Sequence, residues 1–344
     1  MNYRKILVVN LGGIGDILLS TPALRALKAR FSKTEISMLV IRRVYEVTKG
    51  LPYIDKVYIL EYSAFGFLKN FFTLAALRKE HFDLLINMRT IVSQRSAREM
   101  EFLLNIINPK LRAGRDTDGM AKFFDFKIPE KLSGEKYEMD YDIEMVTALG
   151  AEVRDRSIDF KIDEKSINKI EKILQAEGVS GNTLLIGIHP GGLPAHRWPI
   201  DNFSKIIAEI NKKIPSRFVI GGGKNESALA KKLIETVNLK MIDLCGELTI
   251  KELGALIKRC NLYISNDTGP MHIAAILKIP LVAIFGPGYL VRYDPSKISD
   301  KVVVLSKNTD CAPCNKVSCK SMRCLEGISP DEVAQAALSL LKKE

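Results

Sequence analysis

The residues best suited to hold an anionic group follow a short apolar run in the last third of the chain. Leu262 to Ser265 and Leu281 to Phe285 predict buried strands, and Met271 to Leu277 predicts a helix between them. The residues that cap and open this helix are Asn266, Asp267, Thr268, Gly269, Pro270 and His272. Free N–H groups and the helix dipole at such a start favour a phosphate, toward which His272 could donate. An ordinary capped strand-to-helix connection is the alternative.

A second glycine-rich turn, which contains Gly191 and Gly192, follows another predicted buried strand. Glycines leave the backbone open to a ligand, and His196 and Arg197 place cations beside them. Arg197 in this position predicts contact with a diphosphate. The alternative is plain surface charge. We interpret Trp198 as a packing anchor for the helix that follows.

A third glycine turn follows the first predicted strand, Lys5 to Leu11, and contains Gly13 and Asp16. It misses the dinucleotide-binding pattern because Leu18 stands where that pattern requires Gly or Ala. A fourth turn misses the pattern because Glu226 replaces the last glycine. We interpret the third turn as one that lets a substrate approach Gly13 and points Asp16 toward it. The alternative is that Asp16 only caps a helix.

Basic residues with few acids among them follow the predicted strand Asp83 to Asn87. Because ligands of α/β proteins bind at the carboxyl ends of strands, these residues are candidates for binding an anionic acceptor. The candidates are Arg89, Arg95, Arg98, Arg115 and Lys122. A solvated basic face is the alternative.

The alternation of strands and helices starts twice along the 344 residues. This pattern predicts an α/β protein with two doubly wound domains, 1–165 and 166–328, followed by a C-terminal helix in 329–344. The net charge of +11, from 51 basic and 40 acidic residues, predicts an anionic partner. No apolar run is long enough to span a membrane, and the N-terminus lacks a signal-peptide layout. We therefore expect a cytoplasmic protein.

A helix predicted over Phe65 to Leu77 contains four phenylalanines. The favoured interpretation is a helix that faces the core. The alternative is a partly exposed lip that rests on a membrane surface.

Four of the six cysteines cluster near the end of the chain, whereas Cys245 and Cys260 lie in apolar segments and are predicted to be inert core residues. The clustered cysteines are Cys311, Cys314, Cys319 and Cys324. Their spacing is compatible with a structural zinc ion. The alternatives are two disulfides, which a reducing cytoplasm disfavours, or four free thiols. We assign the cluster no catalytic part.

Several sequence blocks, taken in order, resemble the heptosyltransferases of lipopolysaccharide core synthesis, which belong to inverting glycosyltransferase family 9. The blocks are ILVVNLGGIGDILLSTPALRALK at 6–28, HPGG with HRWP at 189–199, GGGKNES at 221–227, and NDTGPMHIAAIL with VAIFGP at 266–287. They span nearly the whole chain. The resemblance implies a GT-B fold, in which two Rossmann-like domains face each other across a cleft. It also implies that the last helix, 330–341, crosses back to the N-terminal domain.

The resemblance further implies roles for single residues. The aspartate of the Gly-Asp pair after the first strand is the proposed general base, which is Asp16 here. Glu226 would contact the ribose of the donor, and Leu248 would contact its adenine. The residues implied at the donor's diphosphate and nucleoside are Asp267, Thr268, Gly269 and His272. The family usually has a lysine two residues before the Trp-Pro pair, and this chain has His196 there.

The expected activity is the transfer of a heptose from ADP-heptose to the lipopolysaccharide inner core, with inversion. Helix N–H groups and basic side chains would stabilise the leaving diphosphate, so no metal ion is expected to be required for catalysis. A lipid-linked acceptor would make the protein peripheral at the inner face of the cytoplasmic membrane. The alternative is a family member that uses a different nucleotide sugar or acceptor in surface polysaccharide synthesis. A nucleotide-dependent oxidoreductase and a nucleic-acid-binding protein are the rivals from other classes, and no nucleic-acid partner is expected.

Overall fold

The computed structural model describes residues 3–62 and 66–342, and the chain divides into two compact units between Asp159 and Phe160. Each unit is built around one parallel sheet with helices between most successive strands. Because both faces of a parallel sheet are covered, its central strands are continuous apolar runs rather than alternating ones. KILVV and LVAIF are such runs, and their central residues are fully buried.

In the described part of the first unit, a six-stranded sheet has the order β3-β2-β1-β4-β5-β6. The strands are β1 (Lys5–Val9), β2 (Glu35–Ile41), β3 (Lys56–Leu60), β4 (Leu84–Asn87), β5 (Leu111–Thr117) and β6 (Phe126–Glu130). The helices are α1 (Ile14–Leu19), α2 (Thr21–Arg30), α3 (Tyr45–Thr48), α4 (Gly66–Lys79), α5 (Gln94–Ile107) and α6 (Glu138–Ala148). Leu7, Leu39 and Leu85 of the sheet pack with Leu77 of α4 and Leu104 of α5 in one core cluster.

In the described part of the second unit, a six-stranded sheet has the order β12-β11-β10-β7-β8-β9. The strands are β7 (Leu185–His189), β8 (Arg217–Gly222), β9 (Met241–Cys245), β10 (Leu262–Asn266), β11 (Leu281–Phe285) and β12 (Val302–Ser306). The helices are α7 (Glu164–Ala176), α8 (Ile200–Lys213), α9 (Ser227–Val237), α10 (Ile250–Arg259), α11 (Gly269–Ile276), α12 (Leu290–Tyr293), α13 (Arg323–Glu326) and α14 (Pro330–Leu341).

The last helix, α14, packs within the second unit on α8 and against β10 and β11. Val333, Ala337 and Leu340 of this helix join Phe203 and Ile207 of α8 in the core of that unit. Ser329 caps α14 and accepts a hydrogen bond from the backbone N–H of Glu332 at 3.2 Å, as its sequence indicates. The crossing of this helix to the first domain stays a prediction.

In both sheets, the second and third strands of the unit are added on one side of its first strand. The fourth strand then pairs with the other side of the first strand, and the last two strands extend the sheet in that direction. This change of direction lies between β1 and β4 in the first unit and between β7 and β10 in the second. At such a topological switch point the flanking loops diverge, which leaves a crevice at the carboxyl ends of the two strands where ligands bind. Three of the four glycine turns identified in the sequence follow β1, β7 and β10 and therefore lie at these two switch points. The fourth turn follows β8.

Candidate active site

Each unit carries one candidate site at its switch point. In the first unit, α1 begins after Gly13, and Asp16 is its third residue. The Asp16 carboxylate accepts a hydrogen bond from the Gly13 backbone N–H at 2.6 Å, and its other oxygen lies 2.9 Å from Nη1 of Arg89. Its side chain is 13% exposed. Asp16 therefore caps the helix and also presents a charged group at the switch point, so the two interpretations of this residue are compatible.

The turn that holds Asp16 requires small residues. A Cβ atom on Gly12 would lie 2.6 Å from the Asp16 side chain, which is shorter than any normal contact. A Cβ atom on Gly13 would lie 3.7 Å from Nη2 of Arg43, so this guanidinium also borders the turn. Arg43 was not among the residues predicted from the sequence. The available signal was its position two residues after the end of β2, whose carboxyl end lies beside that of β1.

A chain of buried hydrogen bonds stabilises this turn. The Gly12 backbone N–H donates to Oδ1 of Asn10 at 3.1 Å, and Nδ2 of Asn10 donates to Oγ of Ser20 at 3.0 Å. Oγ of Ser20 also lies 2.7 Å from the carbonyl oxygen of Asp16 and 2.6 Å from Oδ2 of Asp142 on α6. The position of the candidate base thus depends on Asn10 and Ser20, which are near it in sequence, and on Asp142, which is distant; none of the three was predicted from the sequence.

The structure corrects the prediction for Arg115. This guanidinium is fully buried and forms ion pairs with Glu130 at 3.2 Å, with Glu138 at 2.6 Å and with Asp142. A buried charge is stable only when it is paired, and here the partners come from β6 and α6. Arg115 therefore belongs to the interior and is withdrawn from the acceptor-binding candidates.

Burial away from water raises the pKa of Asp142 to about 7, although the charge of Arg115 opposes the shift. The Glu138 carboxylate contributes in the same direction as burial, because two adjacent negative charges repel each other. Asp142 is therefore a buried carboxyl group that is harder to ionise than an exposed aspartate.

The remaining acceptor candidates have different surroundings. Gly13 and Arg89 contact Asp16, whereas Arg95 and Arg98 lie exposed on α5 and Lys122 lies exposed between β5 and β6. Arg95 pairs with Glu99 one turn along the helix at 2.8 Å, an exposed pair of small energetic weight. The acceptor role of Arg95, Arg98 and Lys122 stays a prediction.

In the second unit, Glu226 joins two glycine turns. Its carboxylate accepts hydrogen bonds from the backbone N–H of Gly192 and from that of Gly223, each at 2.8 Å. A Cβ atom on Gly191 would lie 1.9 Å from Oε1 of Glu226, so only glycine fits there. Nδ1 of His189, the last residue of β7, lies 2.8 Å from the carbonyl oxygen of Gly221. Glu226 is thereby held at the carboxyl ends of β7 and β8, where the predicted ribose contact would be made.

Asn266 fastens these turns to the switch point and was considered in the sequence only as a cap. Its Nδ2 donates to the carbonyl oxygens of Pro190 at 2.9 Å and Gly191 at 3.0 Å, and its Oδ1 accepts from the backbone N–H of Trp198 at 3.2 Å. Trp198 is 1% exposed and donates from its ring to the carbonyl oxygen of Ile328 at 3.0 Å, which confirms its interpretation as a packing anchor.

The start of α11 lies beside a buried histidine. Thr268 is the N-cap of α11, and Gly269 is its first residue. Nδ1 of His196 lies 3.2 Å from Oδ2 of Asp267, and the His196 residue is 5% exposed. Within the described ranges, Nε2 of His196 has no hydrogen-bond partner. His272 is buried in the first turn of the helix, with its ring centroid 6.1 Å from that of Tyr293.

Two further donor candidates border the same switch point. Nε of Arg197 donates to the carbonyl oxygen of Gly192 at 2.8 Å, which aims the guanidinium along the glycine turn. Leu248 is half-buried in the segment between β9 and α10. The sequence-predicted donor residues thus come from the carboxyl ends of β7, β8, β9 and β10. Their ligand contacts stay predictions.

The cysteines show no arrangement for a metal ion in this structure. Across residues 3–62 and 66–342, no group of three or more His, Cys, Asp or Glu side chains is placed to hold one, and all six cysteines are free thiols. Cys324 is buried in the core, whereas Cys311 is exposed. The predicted zinc ligand set is therefore not assembled. Burial raises the pKa of the Cys245 and Cys260 thiols to about 12, which agrees with their prediction as inert core residues.

Two doubly wound units, each with a glycine turn and charged side chains at its switch point, define a two-domain α/β protein of the GT-B type. The profile described as "Glycosyltransferase family 9 (heptosyltransferase)" matches residues 73–324. The chain therefore belongs to glycosyltransferase family 9 and is a glycosyltransferase, as the ordered motifs implied.

Relatives and solved structures agree with this assignment. Lipooligosaccharide heptosyltransferase 2 of Campylobacter jejuni is 26% identical over 336 residues, which are 96% of each chain. A glycosyl transferase family 9 protein of Veillonella parvula superimposes with a TM-score of 0.78 at 24% identity. The superposition covers 100% of this chain and 98% of the Veillonella chain. The E. coli ADP-heptose LPS heptosyltransferase II superimposes with a TM-score of 0.74 at 19% identity, covering 98% and 99%. The predicted GT-B fold is confirmed.

Proposed function

We propose that this protein transfers a heptose from ADP-heptose to the inner core of lipopolysaccharide, with inversion at the sugar carbon. Membership of family 9 and the names of the similar proteins support the sugar and the acceptor class. The observation that carries the proposal is the placement of Asp16 at the switch point of one unit and of two glycine turns and a helix start at that of the other.

The donor's diphosphate would bind at the start of α11 and along Gly191 and Gly192. Backbone N–H groups at a helix start and the Arg197 guanidinium suit a diphosphate, since both offer donors to anionic oxygens. Glu226 is held by two backbone N–H groups, and its remaining acceptor capacity suits the ribose hydroxyls. Leu248 offers apolar surface to the adenine.

Asp16 would act as the general base. The acceptor hydroxyl oxygen forms a bond to the anomeric carbon on the face opposite the diphosphate, and its proton passes to Asp16. The bond between that carbon and the diphosphate oxygen breaks, and ADP leaves with the electron pair. Arg89 positions the carboxylate through its contact at 2.9 Å. Cations and helix N–H groups at the second switch point stabilise the charge on the leaving group, so the reaction needs no metal ion.

The acceptor would be an anionic glycolipid, which places the enzyme at the inner face of the cytoplasmic membrane. The described residues contain no helix that is both long and apolar enough to cross a bilayer. The proposed association with that membrane is peripheral, through the lipid-linked acceptor, and nucleic acid is not among the proposed partners.

One observation favours a second candidate, a family 9 transferase with a different nucleotide sugar. His196 replaces the lysine expected before the Trp-Pro pair, and it is buried against Asp267 rather than extended toward a phosphate. The donor could therefore be held differently from that of other members.

Calorimetric titration with ADP, UDP and ADP-heptose separates the two candidates. Selective binding of ADP and ADP-heptose, weakened about tenfold or more by Glu226→Ala and unchanged by Glu235→Ala on the exposed face of α9, is the expected result. Preference for UDP would keep the fold and the Asp16 hypothesis but reject the heptose donor. Failure to bind any of the three ligands would reject the proposed donor site.

A further inference from the structure

Two polar residues of helix α4, Asn70 and Thr73, hold this helix against β3 and the residue that follows it. Oδ1 of Asn70 accepts from the Glu61 backbone N–H at 2.8 Å, and Nδ2 of Asn70 donates to the Glu61 carbonyl oxygen at 2.9 Å. Oγ1 of Thr73 donates to the carbonyl oxygen of Ile59 at 3.3 Å, and Leu77 is fully buried. These three helix residues are three and four positions apart, so they share one face. That face is fixed toward β3 by its hydrogen bonds.

The other face of α4 is apolar and exposed. The exposed fractions are 79% for Phe67, 67% for Leu68, 60% for Phe71 and 68% for Phe72. These residues form two pairs that are four positions apart, so they make a continuous patch over two helical turns. Phe102, on the adjacent helix α5, is 65% exposed. The prediction that this helix turns its phenylalanines to the core is therefore wrong for the described ones, and Phe65 lies outside the described residues.

The charged residues of α4 itself are all basic. The α4 sequence, GFLKNFFTLAALRK, contains no acidic residue. Lys69 lies exposed between Leu68 and Phe71, and Arg78 and Lys79 lie exposed in the last turn. A helix that exposes phenylalanine and leucine beside lysine and arginine has the composition of helices that lie in the interface of a bilayer with anionic lipids.

We propose that the exposed face of α4, formed by Phe67, Leu68, Lys69, Phe71 and Phe72, docks onto the surface of a bilayer that contains anionic lipids. The aromatic rings enter the boundary between headgroups and acyl chains, and the lysine stem extends along them so that its ammonium reaches the headgroups. This inference deepens the proposed function, on which it rests, because it assigns the surface that brings the enzyme to a lipid-linked acceptor.

The size of the patch favours a bilayer over a protein partner. A stable protein interface contains about 20–30 residues on each side and combines an apolar centre with a polar rim. The apolar surface of α4 covers two helical turns, and every charged residue of this helix is basic. A bilayer requires neither a large area nor a matched rim, since apolar burial and headgroup attraction add along the surface.

The test is sedimentation of the purified full-length protein with vesicles. Vesicles of phosphatidylethanolamine and phosphatidylglycerol are compared with vesicles of phosphatidylcholine alone, at low and high salt. The test variant is Phe67→Ser/Phe71→Ser. The matched control is Leu111→Ser/Phe126→Ser, which removes two exposed apolar residues, 37% and 38% exposed, from β5 and β6 at the other edge of the same sheet. Lys69→Glu tests the charge contribution, and ADP titration of every variant tests the donor site.

Wild-type protein is expected to sediment with the anionic vesicles and less at high salt, because salt screens headgroup attraction. The affinity of the α4 double variant for vesicles should be about tenfold lower than that of the wild type, or lower still. Lys69→Glu should weaken binding to the anionic vesicles and leave binding to the phosphatidylcholine vesicles unchanged. The strand control should change less than about twofold, and ADP binding should be equal in all variants. Failure of the wild-type protein to sediment would overturn the proposal.

Equal vesicle binding by the two double variants would also overturn it. So would sedimentation velocity showing that the α4 variant breaks a wild-type dimer while vesicle binding is retained, since the patch would then be a contact between copies of the chain. If the wild-type protein does not bind ADP, the proposed donor site is rejected. The vesicle measurements would still decide whether α4 binds a bilayer.

Discussion

The Asp16 carboxylate uses one oxygen for the Gly13 backbone N–H and the other for the Arg89 guanidinium. These two contacts fix the orientation of the carboxylate, and a carboxylate oxygen can accept more than one hydrogen bond. The substitution Asp16→Asn keeps the size of the side chain and one acceptor oxygen for Gly13, but it removes the group that takes the proton. We expect turnover to fall by about 10²–10⁴-fold, while ADP affinity changes less than about twofold.

Initial rates and ADP calorimetry on the same preparation measure the two quantities. Asp310→Asn, on an exposed residue of the second unit, is the matched control and should leave both unchanged. Normal turnover of Asp16→Asn would show that another group takes the proton, and equal losses of turnover and ADP affinity would indicate a structural role for Asp16.

A count of hydrogens at Ser20 bears on the protonation of Asp142. The single hydroxyl hydrogen of Ser20 cannot be donated both to the carbonyl oxygen of Asp16 at 2.7 Å and to Oδ2 of Asp142 at 2.6 Å. A protonated Asp142 resolves the conflict, because it donates to Oγ of Ser20, which then donates to the carbonyl oxygen. This geometry agrees with the pKa of about 7 that burial gives Asp142.

A raised pKa in the folded state gives a defined pH dependence of stability. Below the ordinary pKa of an aspartate, about 4, the carboxyl is protonated in both states and burial costs little. As the pH rises toward 7, the unfolded state gains from ionisation while the folded state does not, so stability falls and then levels off above about 7. Asp142→Asn cannot ionise. We therefore expect the wild-type free energy of unfolding, relative to that of the variant, to be lower at pH 8 than at pH 5.

The expected change in this difference is on the order of a few kcal/mol, from about 1.4 kcal/mol for each pKa unit. Urea unfolding followed by far-UV circular dichroism at the two pH values measures it, and contributions from other titrating groups cancel in the difference. Asp140→Asn, on an exposed residue of the same helix, is the control and should show a much smaller change. A difference that does not change between pH 5 and 8 would show that Asp142 is ionised at both.

The side chain of Asn266 connects three parts of the second unit: β10, the turn after β7 and the start of α8. Asn266 ends β10, donates to two carbonyl oxygens of the turn after β7 and accepts from the backbone N–H of Trp198 before α8. Asn266→Asp preserves the acceptor but removes both donors and places a carboxylate beside two carbonyl oxygens. Asn266→Ala removes all three bonds without adding charge. We expect Asn266→Ala to destabilise the second unit by about 2–4 kcal/mol and Asn266→Asp by at least as much.

Trp198 gives a direct measurement of this effect, because it is the single tryptophan of the chain, is buried in this unit and contacts Asn266. Urea unfolding followed by its fluorescence reports the second unit. Asn168→Ala, at an exposed position of α7 in the same unit, is the control. An Asn266→Asp variant as stable as the wild type would show that the donated bonds contribute nothing.

The sequence predicts those elements whose residues repeat one local pattern. The apolar runs of β1, β7, β10 and β11 and the last helix over 330–341 are found as predicted, and α11 begins two residues earlier than expected. Strands β5 and β6 were missed, because LRAGRDT and FKIPE contain charged residues, Gly and Pro that are rare in central strands. Arg115 fits inside β5 only because three acids from later elements neutralise it.

The same distinction holds for the candidate site. Asp16 and Thr268 follow strands in glycine-rich turns, and this local signal was sufficient to select them, whereas Glu226 was selected through the family resemblance. The roles of Asn10 and Asn266 depend on partners that only the fold brings near, so spacing could not reveal them. Exposure of the α4 phenylalanines was missed for a similar reason: hydrogen bonds to β3 and Glu61 decide which face turns inward.

For the whole molecule, the two units have separate sheets and separate core clusters, so each can respond to ligand by itself. The donor candidates all belong to the second unit, which also holds the single tryptophan. A ligand that binds only the folded state stabilises it by RT ln(1 + [L]/Kd). At ADP concentrations 100 times Kd, we therefore expect the unfolding free energy reported by Trp198 fluorescence to rise by about 2.7 kcal/mol.

The increase should disappear in Arg197→Ala, which removes the guanidinium beside Gly192, and should persist in Arg95→Ala, which removes an exposed guanidinium from the first unit. Far-UV circular dichroism, which reports both units, should show the shift confined to the transition that the tryptophan detects. If ADP instead moved a transition to which Trp198 is silent, the nucleotide would bind the first unit, and the assignment of donor and acceptor sites to the two switch points would have to be reversed.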